Sequence, residues 1–392
     1  MNPILAAIGG TIVLAIFAIA FGLILSGIDR RVVARMQARI GPPLLQPLTD
    51  VRKLLAKQNI IPANAIPWLF NAMPVVALAS AIAILLYLPF GSFAPLLGEF
   101  GDVILVLYLL IIPSLALVIG GFASGSPYAT VGAQREMVSM IAYELPLAVA
   151  VIAIAWRLMA AGVSNPFSML TLMQVSVWDV VGPLGILALL ILLVMMAWVT
   201  PGELSKIPFD SPEAETELAG GILVEYSGRN LGLFTLSQAV KTVAMSAFGI
   251  ILLLPWNLSP ILGLSGLSAG AVDLVFFVLK VLFVVIVSVT VVRTMMARFR
   301  ITQVVGLYWL VLGVLGALAI ILLMADAFLL GVIFDGWTSN GNVASCPVVE
   351  YAVHSSFSSC SASGIYTLFL LAGLRSYICV FSLRWCLHRC AT

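Results

Sequence analysis

The sequence predicts an all-α, polytopic membrane protein of about eight transmembrane helices, with amphipathic helices in the loops between them. Two observations carry that class. The chain is 62% hydrophobic and only 9% charged, against about 25% charged residues in an ordinary soluble domain. Its apolar runs also reach, again and again, the roughly 20 residues a helix needs to cross a bilayer. Charge placement gives a third. Thirteen of the nineteen Lys and Arg residues fall in four connections on one side of the resulting map. The positive-inside rule then sets the amino terminus outside a plasma membrane and those four connections in the cytoplasm.

The first span, 4–28, starts almost at the initiator and has no preceding Lys or Arg, so it reads as a span and not as a cleaved signal. The connection after it is DRRVVARMQARIGPPLLQPLTDVRKLLAKQNIIP. Arg31, Arg35 and Arg39 recur every four residues and line one helix face. Ile40-Gly41-Pro42-Pro43 ends that helix, and Pro47 precedes a second amphipathic stretch. Such a basic surface suits seating on the anionic headgroups of the lipid bilayer and docking a peripheral subunit, and the two are not exclusive.

Spans 67–88 and 103–122 come next, then a small-residue-rich loop, GFASGSPYATVGAQREMVSMIAYE, with Gln134, Arg135 and Glu136. Its polarity suits a cavity lining or a contact surface. The fourth and fifth spans are 138–158 and 181–200. They lead into a thirty-residue loop, 200–229, that holds six of the seventeen carboxylates: Glu203, Asp210, Glu213, Glu215, Glu217 and Glu225. Asp210 or Ser211 can cap a short helix in which Pro212 is the first residue. That helix sets Glu213 and Glu217 on one face and Glu215 on another. Clustered carboxylates raise one another's proton affinity, which suits proton loading or coupling to a charged partner; the plainer reading is a solvated acidic loop.

Spans 231–254, 271–292 and 304–324 complete the set, with Arg293, Arg298 and Arg300 between the last two. Residues 1–324 thus form the membrane domain. Past Ala325 the composition breaks: all five cysteines and both histidines lie in the last fifty residues, and serine crowds between 339 and 363. The tail reads as a lineage-specific extension or an out-of-frame read-through, and 365–383 as a ninth span. Cys379, Cys386 and Cys390 share a helix face there, but their spacing matches no zinc or iron–sulfur pattern.

Ionisable groups at membrane depth are functional candidates, because each costs several kcal/mol unless paired or hydrated. Glu144 lies in the fourth span, Lys241 near the middle of the sixth and Lys280 near the middle of the seventh. They read as stations of a hydrated proton path, against the alternative of a buried pair that only fixes helix register. The main body has no Walker motif, no dinucleotide fingerprint and no Cys or His cluster. No cofactor is expected in this chain, and redox centres belong to its partners.

The stretches RRVVARMQARIGPP, LLQPLTDVRKLL, ASGSPYATVGAQREMVSMIAYELPLA, IPFDSPEAETELAGGILVEYSG and ARFRITQ, in this order over residues 3–324, resemble the complex I subunit 1 family. Two departures place the chain within it. Gly41-Pro42-Pro43 runs straight into Leu44, where quinone-reducing members carry an insertion, and the sixth span has LSQAVK in place of an AEY triplet. Both features resemble the membrane anchor of group 4 energy-converting [NiFe] hydrogenases and the related sulfane-sulfur reductases.

The resemblance implies a non-redox anchor coupling ferredoxin-driven chemistry to proton or sodium translocation. Its implied partners are hydrogenase-like large and small subunits, which carry iron–sulfur clusters and NiFe, together with antiporter-like membrane subunits; no nucleic acid is expected. Glu144, Glu203, Asp210, Glu213, Glu215, Glu217, Glu225, Lys241 and Lys280 would form the relay. Arg31, Arg35, Arg39, Gln134, Arg135, Glu136, Arg298 and Arg300 would form the docking surface. The rival readings are a quinone-binding subunit of a complex I-type NADH:quinone oxidoreductase and a self-standing transporter. The latter requires inverted repeats, and the sequence has none.

Overall fold

The computed structural model describes the backbone of residues 3–263 and 266–339. The expectations for the cysteines and for a ninth span fall on 346–390, outside the described residues. Among these, eight helices are long and apolar enough to cross a membrane. We label them α1 (Pro3–Met36), α2 (Pro67–Tyr87), α3 (Val103–Ala123), α4 (Pro127–Ala160), α5 (Pro183–Glu203), α6 (Gly228–Leu253), α7 (Ser268–Met295) and α8 (Ile301–Leu329). Pro67, Pro127 and Pro183 sit in the first helical turn, where the missing N–H costs nothing.

Hydropathy located every span but misjudged three lengths. α1 runs past residue 28 to Met36, so Arg31 and Arg35 are helical; Ala38 turns left-handed (φ 56°), and Arg39 lies beyond the helix, off the face expected for it. α4 begins at Pro127, so the expected third loop is mostly helix. Its small residues are not loop signals. Ala129, Gly132, Ala133 and Ser139 are buried, and a Cβ on Gly132 would lie 2.6 Å from Ile222 N and 2.9 Å from the Pro212 carbonyl of the acidic connection. The single short helix expected in that connection is broken into Ser211–Glu213, Glu215–Leu218 and Gly221–Leu223 by extended backbone at Ala214 and left-handed backbone at Ala219 and Gly220. α8 passes the boundary at 324 without a break, and its helix continues to Ser339.

α6 is the axis of the bundle: 78% of its apolar stretch is buried, against 28% for α1 and for α8. The first, third, fifth and seventh connections meet at one end. Arg293 pairs with Asp29 (3.0 Å), Arg30 with Asp50 (3.3 Å) and Arg298 with Asp210 (2.6 Å), and the amphipathic helix Gln46–Ala56 packs there against α6. At the opposite end Arg157 of α4 pairs with Asp326 of α8 (3.3 Å), both nearly inaccessible. α7 and α8 each contain a π turn, Ile286–Val291 and Leu307–Leu312. Such turns insert a residue into the helical register and recur at functional sites.

Candidate functional site

The site begins where α5 ends. Pro201 lacks an N–H, so the helix loses a rung there, and the chain leaves through Ser205 in the left-handed region (φ 47°). That conformation strains a residue with a side chain. It is held by two backbone bonds, Ser205 N to the Gly202 carbonyl (3.0 Å) and Lys206 N to the Pro201 carbonyl (2.9 Å). The result sends Glu203 and Ser205 into the bundle. Glu203 Oε1 lies 2.8 Å from Lys241 Nζ, with side-chain exposures of 2% and 1%. Lys241 also donates to the Glu203 carbonyl (2.8 Å) and to Ser114 Oγ (2.6 Å). Tyr143 donates to the same Ser114 (3.4 Å), and Ser205 Oγ donates to Glu136 Oε1 (3.1 Å).

Two carboxyl groups, one ammonium and three hydroxyls are therefore assembled out of water. Paired and hydrogen-bonded, such a set is tolerated; unpaired, each charge costs several kcal/mol. The chemistry it can perform is to hold a proton on a carboxyl, and to pass it through hydroxyls that both donate and accept.

Of the residues picked from sequence, the structure brings Glu203 and Lys241 together. Glu144 sits half-exposed on α4, with no ion-pair partner among the described residues. Lys280 is elsewhere: it donates to the Leu254 (3.0 Å) and Trp256 (2.8 Å) carbonyls beyond the end of α6 and lies 5.0 Å from the Phe276 ring centroid. Leu254 is thirteen residues past Lys241, about 20 Å along the axis. A lysine on the free carbonyls of a helix terminus is a cap.

In the acidic connection, Asp210 is chelated by Arg298 through Nε (2.8 Å) and Nη2 (2.6 Å). Glu217 accepts from Arg135 (2.6 Å), which holds its carboxyl below the usual range. Glu213 and Glu225 are half-buried, and Glu215 opens its short helix. Half-buried Lys206 faces Glu213 and Asp29, whose charges favour its ammonium, but burial outweighs them and lowers its affinity for a proton.

The expected docking surface needs correction. Glu136 is 1% exposed and cannot meet a partner; the hydropathy boundary at 138 had set it outside the span. Arg135 and Arg298 are engaged within the chain, holding the acidic connection down. Arg35, Arg39, Gln134 and Arg300 are exposed and Arg31 is half-exposed, so these remain available.

Sequence reasoning missed Ser114, Tyr143 and Ser205, because hydroxyls in spans are too common to signal anything. It also missed a cavity of about 90 Å³ between α1, Gln46–Ala56, α6 and α7. Asp29, Arg30, Asp50, Lys206 and Gln238 line it, and Asp29 accepts from Thr290 of the α7 π turn (2.7 Å). No group of three or more His, Cys, Asp or Glu converges as metal ligands among the described residues.

An all-α, multi-pass membrane protein built around a buried carboxyl–lysine chain is the class that fold and site define. The chain belongs to the NADH dehydrogenase family, the complex I subunit 1 family of the sequence motifs, whose model matches residues 9–325. It is 37% identical over 318 residues to the corresponding NADH-quinone oxidoreductase subunit of Anoxybacillus flavithermus, covering 76% of this chain and 89% of that protein. It is 33% identical over 320 residues to the corresponding subunit of Frankia casuarinae, covering 77% of this chain and 66% of that one. Among solved structures it resembles a chain of the membrane-bound sulfane sulfur reductase, an archaeal respiratory membrane complex. The TM-score is 0.70 and the identity 28%, over 81% of this chain and 99% of that one.

Proposed function

We propose that this chain is the non-redox membrane anchor of an energy-converting complex of the hydrogenase or sulfane-sulfur-reducing type. It docks a peripheral electron-transfer arm and couples ferredoxin-driven redox chemistry to proton or sodium translocation. The observation that carries the reading is the buried cluster in which Ser205 donates to Glu136 and Lys241 joins Glu203 to Ser114, a set of exchangeable protons with no other evident use at that depth. Glu144, half-exposed on the flank of the bundle, is the station that faces an antiporter-like membrane subunit. The exposed arginines of the first connection meet hydrogenase-like large and small subunits on the cytoplasmic side of the plasma membrane. Iron–sulfur clusters and NiFe belong to those partners.

The curated relatives are named as subunits of an NADH-quinone oxidoreductase, which favours a second reading, a quinone-binding subunit. Two features support the first over it. The short connection folds back so closely that a Cβ on Gly27 of α1 would lie 2.0 Å from the Leu44 carbonyl; an insertion there would hold the segment off α1. The cavity behind it, about 90 Å³, is well below the roughly 300–1,000 Å³ of sites that enclose a sizeable organic ligand.

The test is to purify the complex through a tag on this chain, identify its companions by mass spectrometry, and assay hydrogen evolution and polysulfide reduction with reduced ferredoxin. A nickel-bearing large subunit, or a related one active on sulfur, supports the reading. A quinone-reducing arm replaces it with the second, and recovery of the chain alone overturns both.

A further inference from the structure

Tyr308 touches both ends of the site without carrying any of its charge. It is fully buried in the π turn of α8. Its hydroxyl donates to the Trp198 carbonyl of α5 (3.0 Å), and a Cβ on Gly202 would lie 2.0 Å from that oxygen. Only glycine admits the hydroxyl there, one residue before Glu203. On one side the Tyr308 ring meets Phe209 of the acidic connection (5.1 Å between centroids), and on another Tyr143 (6.3 Å).

Each neighbour leads somewhere. Phe209 also packs on Phe299 (5.7 Å), whose N–H donates to the Pro208 carbonyl (3.0 Å), while the adjacent Arg298 chelates Asp210. Segments 208–210 and 298–299 are thus pinned together, and they rest on the bundle through Phe209. Tyr143 leads inward to Ser114, the hydroxyl that accepts from Lys241. Both halves of the buried ion pair are therefore held by groups in contact with Tyr308: the end of α5 for Glu203, and Tyr143 with Ser114 for Lys241.

We infer that Tyr308 is a positioning residue that transmits displacement of the acidic connection to the Glu203–Lys241 pair. The inference rests on the proposal that this pair carries protons. The π turn supplies the second state. Removing its extra residue from the register turns Tyr308 by one residue's step, about 100°, which withdraws the hydroxyl from Trp198 and the ring from Phe209. Such a register change is a discrete two-state element, and it is what a conformational signal must bias. With Tyr308 seated, Glu203 is locked on Lys241; with Tyr308 withdrawn, the end of α5 is free to separate them.

The test uses the intact complex in proteoliposomes and measures ions moved per donor oxidised. Tyr308→Phe keeps the ring and deletes the latch; Gly202→Ala displaces the hydroxyl and leaves the tyrosine in place. Each is expected to lower the ratio by between about twofold and tenfold, the weight of one hydrogen bond, with donor oxidation close to wild type. The double variant is expected to be no worse than Gly202→Ala alone, because phenylalanine lacks the oxygen that the alanine would strike, although the ring Cζ would still lie 2.8 Å from the added Cβ. An unchanged ratio in Tyr308→Phe, additive losses in the double variant, or ratio and oxidation falling in step overturns the inference. Tyr308→Phe decides alone if Gly202→Ala fails to assemble. Glu203→Gln measured alongside separates the two levels. Normal pumping there removes the relay itself, whereas a dead Glu203→Gln beside a normal Tyr308→Phe removes only the role of Tyr308.

Discussion

Replacing Lys241 with methionine removes the one ammonium of the buried site while filling nearly the same volume. Its two hydrogen bonds go to Ser114 Oγ (2.6 Å) and the Glu203 carbonyl (2.8 Å), and its ion-pair contact is with Glu203 Oε1 (2.8 Å). All three oxygens lose the ammonium at once, and Glu203 becomes an uncompensated buried carboxylate. Breaking a buried pair from one side costs about 3–5 kcal/mol, whereas replacing both partners with apolar or neutral groups of similar size is often neutral. The expected result is a loss of about 3–5 kcal/mol in Lys241→Met, with most of it recovered in Glu203→Gln/Lys241→Met. Reversible denaturation of the detergent-solubilised protein gives the stabilities, and proteoliposome assays of the same variants give ion movement. A relay demands that pumping stay dead in the double variant although its stability returns. Restored pumping would mean that the pair only sets helix register. A Lys241→Met variant within about 1 kcal/mol of wild type would refute the premise that the charges are buried and interdependent.

Asp326→Ala strands Arg157, whose Nε already lacks a partner, and is expected to cost about 3–5 kcal/mol; thermal unfolding checks it. Arg298→Lys keeps the charge but cannot chelate Asp210 with two nitrogens, so protease cleavage within 208–218 should accelerate several-fold while the spans stay intact. Lys206, its proton affinity lowered by burial, makes folding pH-dependent. Between its folded pKa and the ordinary 10.5 the unfolded chain binds more protons, so stability rises with pH across that window and the cost is complete below it. Lys206→Met should flatten that rise in melting curves taken from neutral to alkaline pH. Glu144→Gln should leave assembly intact and abolish pumping, read as ion movement in vesicles.

Hydropathy alone located all eight spans, because a bilayer crossing is a long signal and each apolar run stands clear of its neighbours. What it could not see was which polar residues were inside. Glu136 and Glu144 differ by eight positions, and the boundary drawn between them assigned each to the other's environment: Glu136 is buried, Glu144 half-exposed. The error follows from averaging. α4 continues as helix for a dozen residues whose small side chains make them resemble a loop, and their burial depends on a connection about 70 residues away. Glu203 and Lys241 were both legible as candidates, but their pairing was not, because nothing in a sequence records that α5 ends beside the middle of α6. Asp326 was hidden by the compositional break at 325, through which α8 runs on as helix to Ser339. Tyr308 and the π turns left no trace at all.

The enclosure of α6 bears on how the protein is made. A lysine at the centre of a segment opposes its transfer into lipid by about 2.5–3.5 kcal/mol, and Lys241 is among the residues the finished bundle hides most fully. The helix emerging from the ribosome just before it is α5, which ends in Glu203, 38 residues earlier. Released singly, each segment would carry a bare charge into hydrocarbon; released as a hairpin, the two charges neutralise each other during insertion. α5 and α6 should therefore integrate as a unit, and a Glu203→Gln chain should show α6 left in the aqueous phase of a glycosylation-mapping assay. The pair buried in the finished bundle would then also be a condition of its insertion.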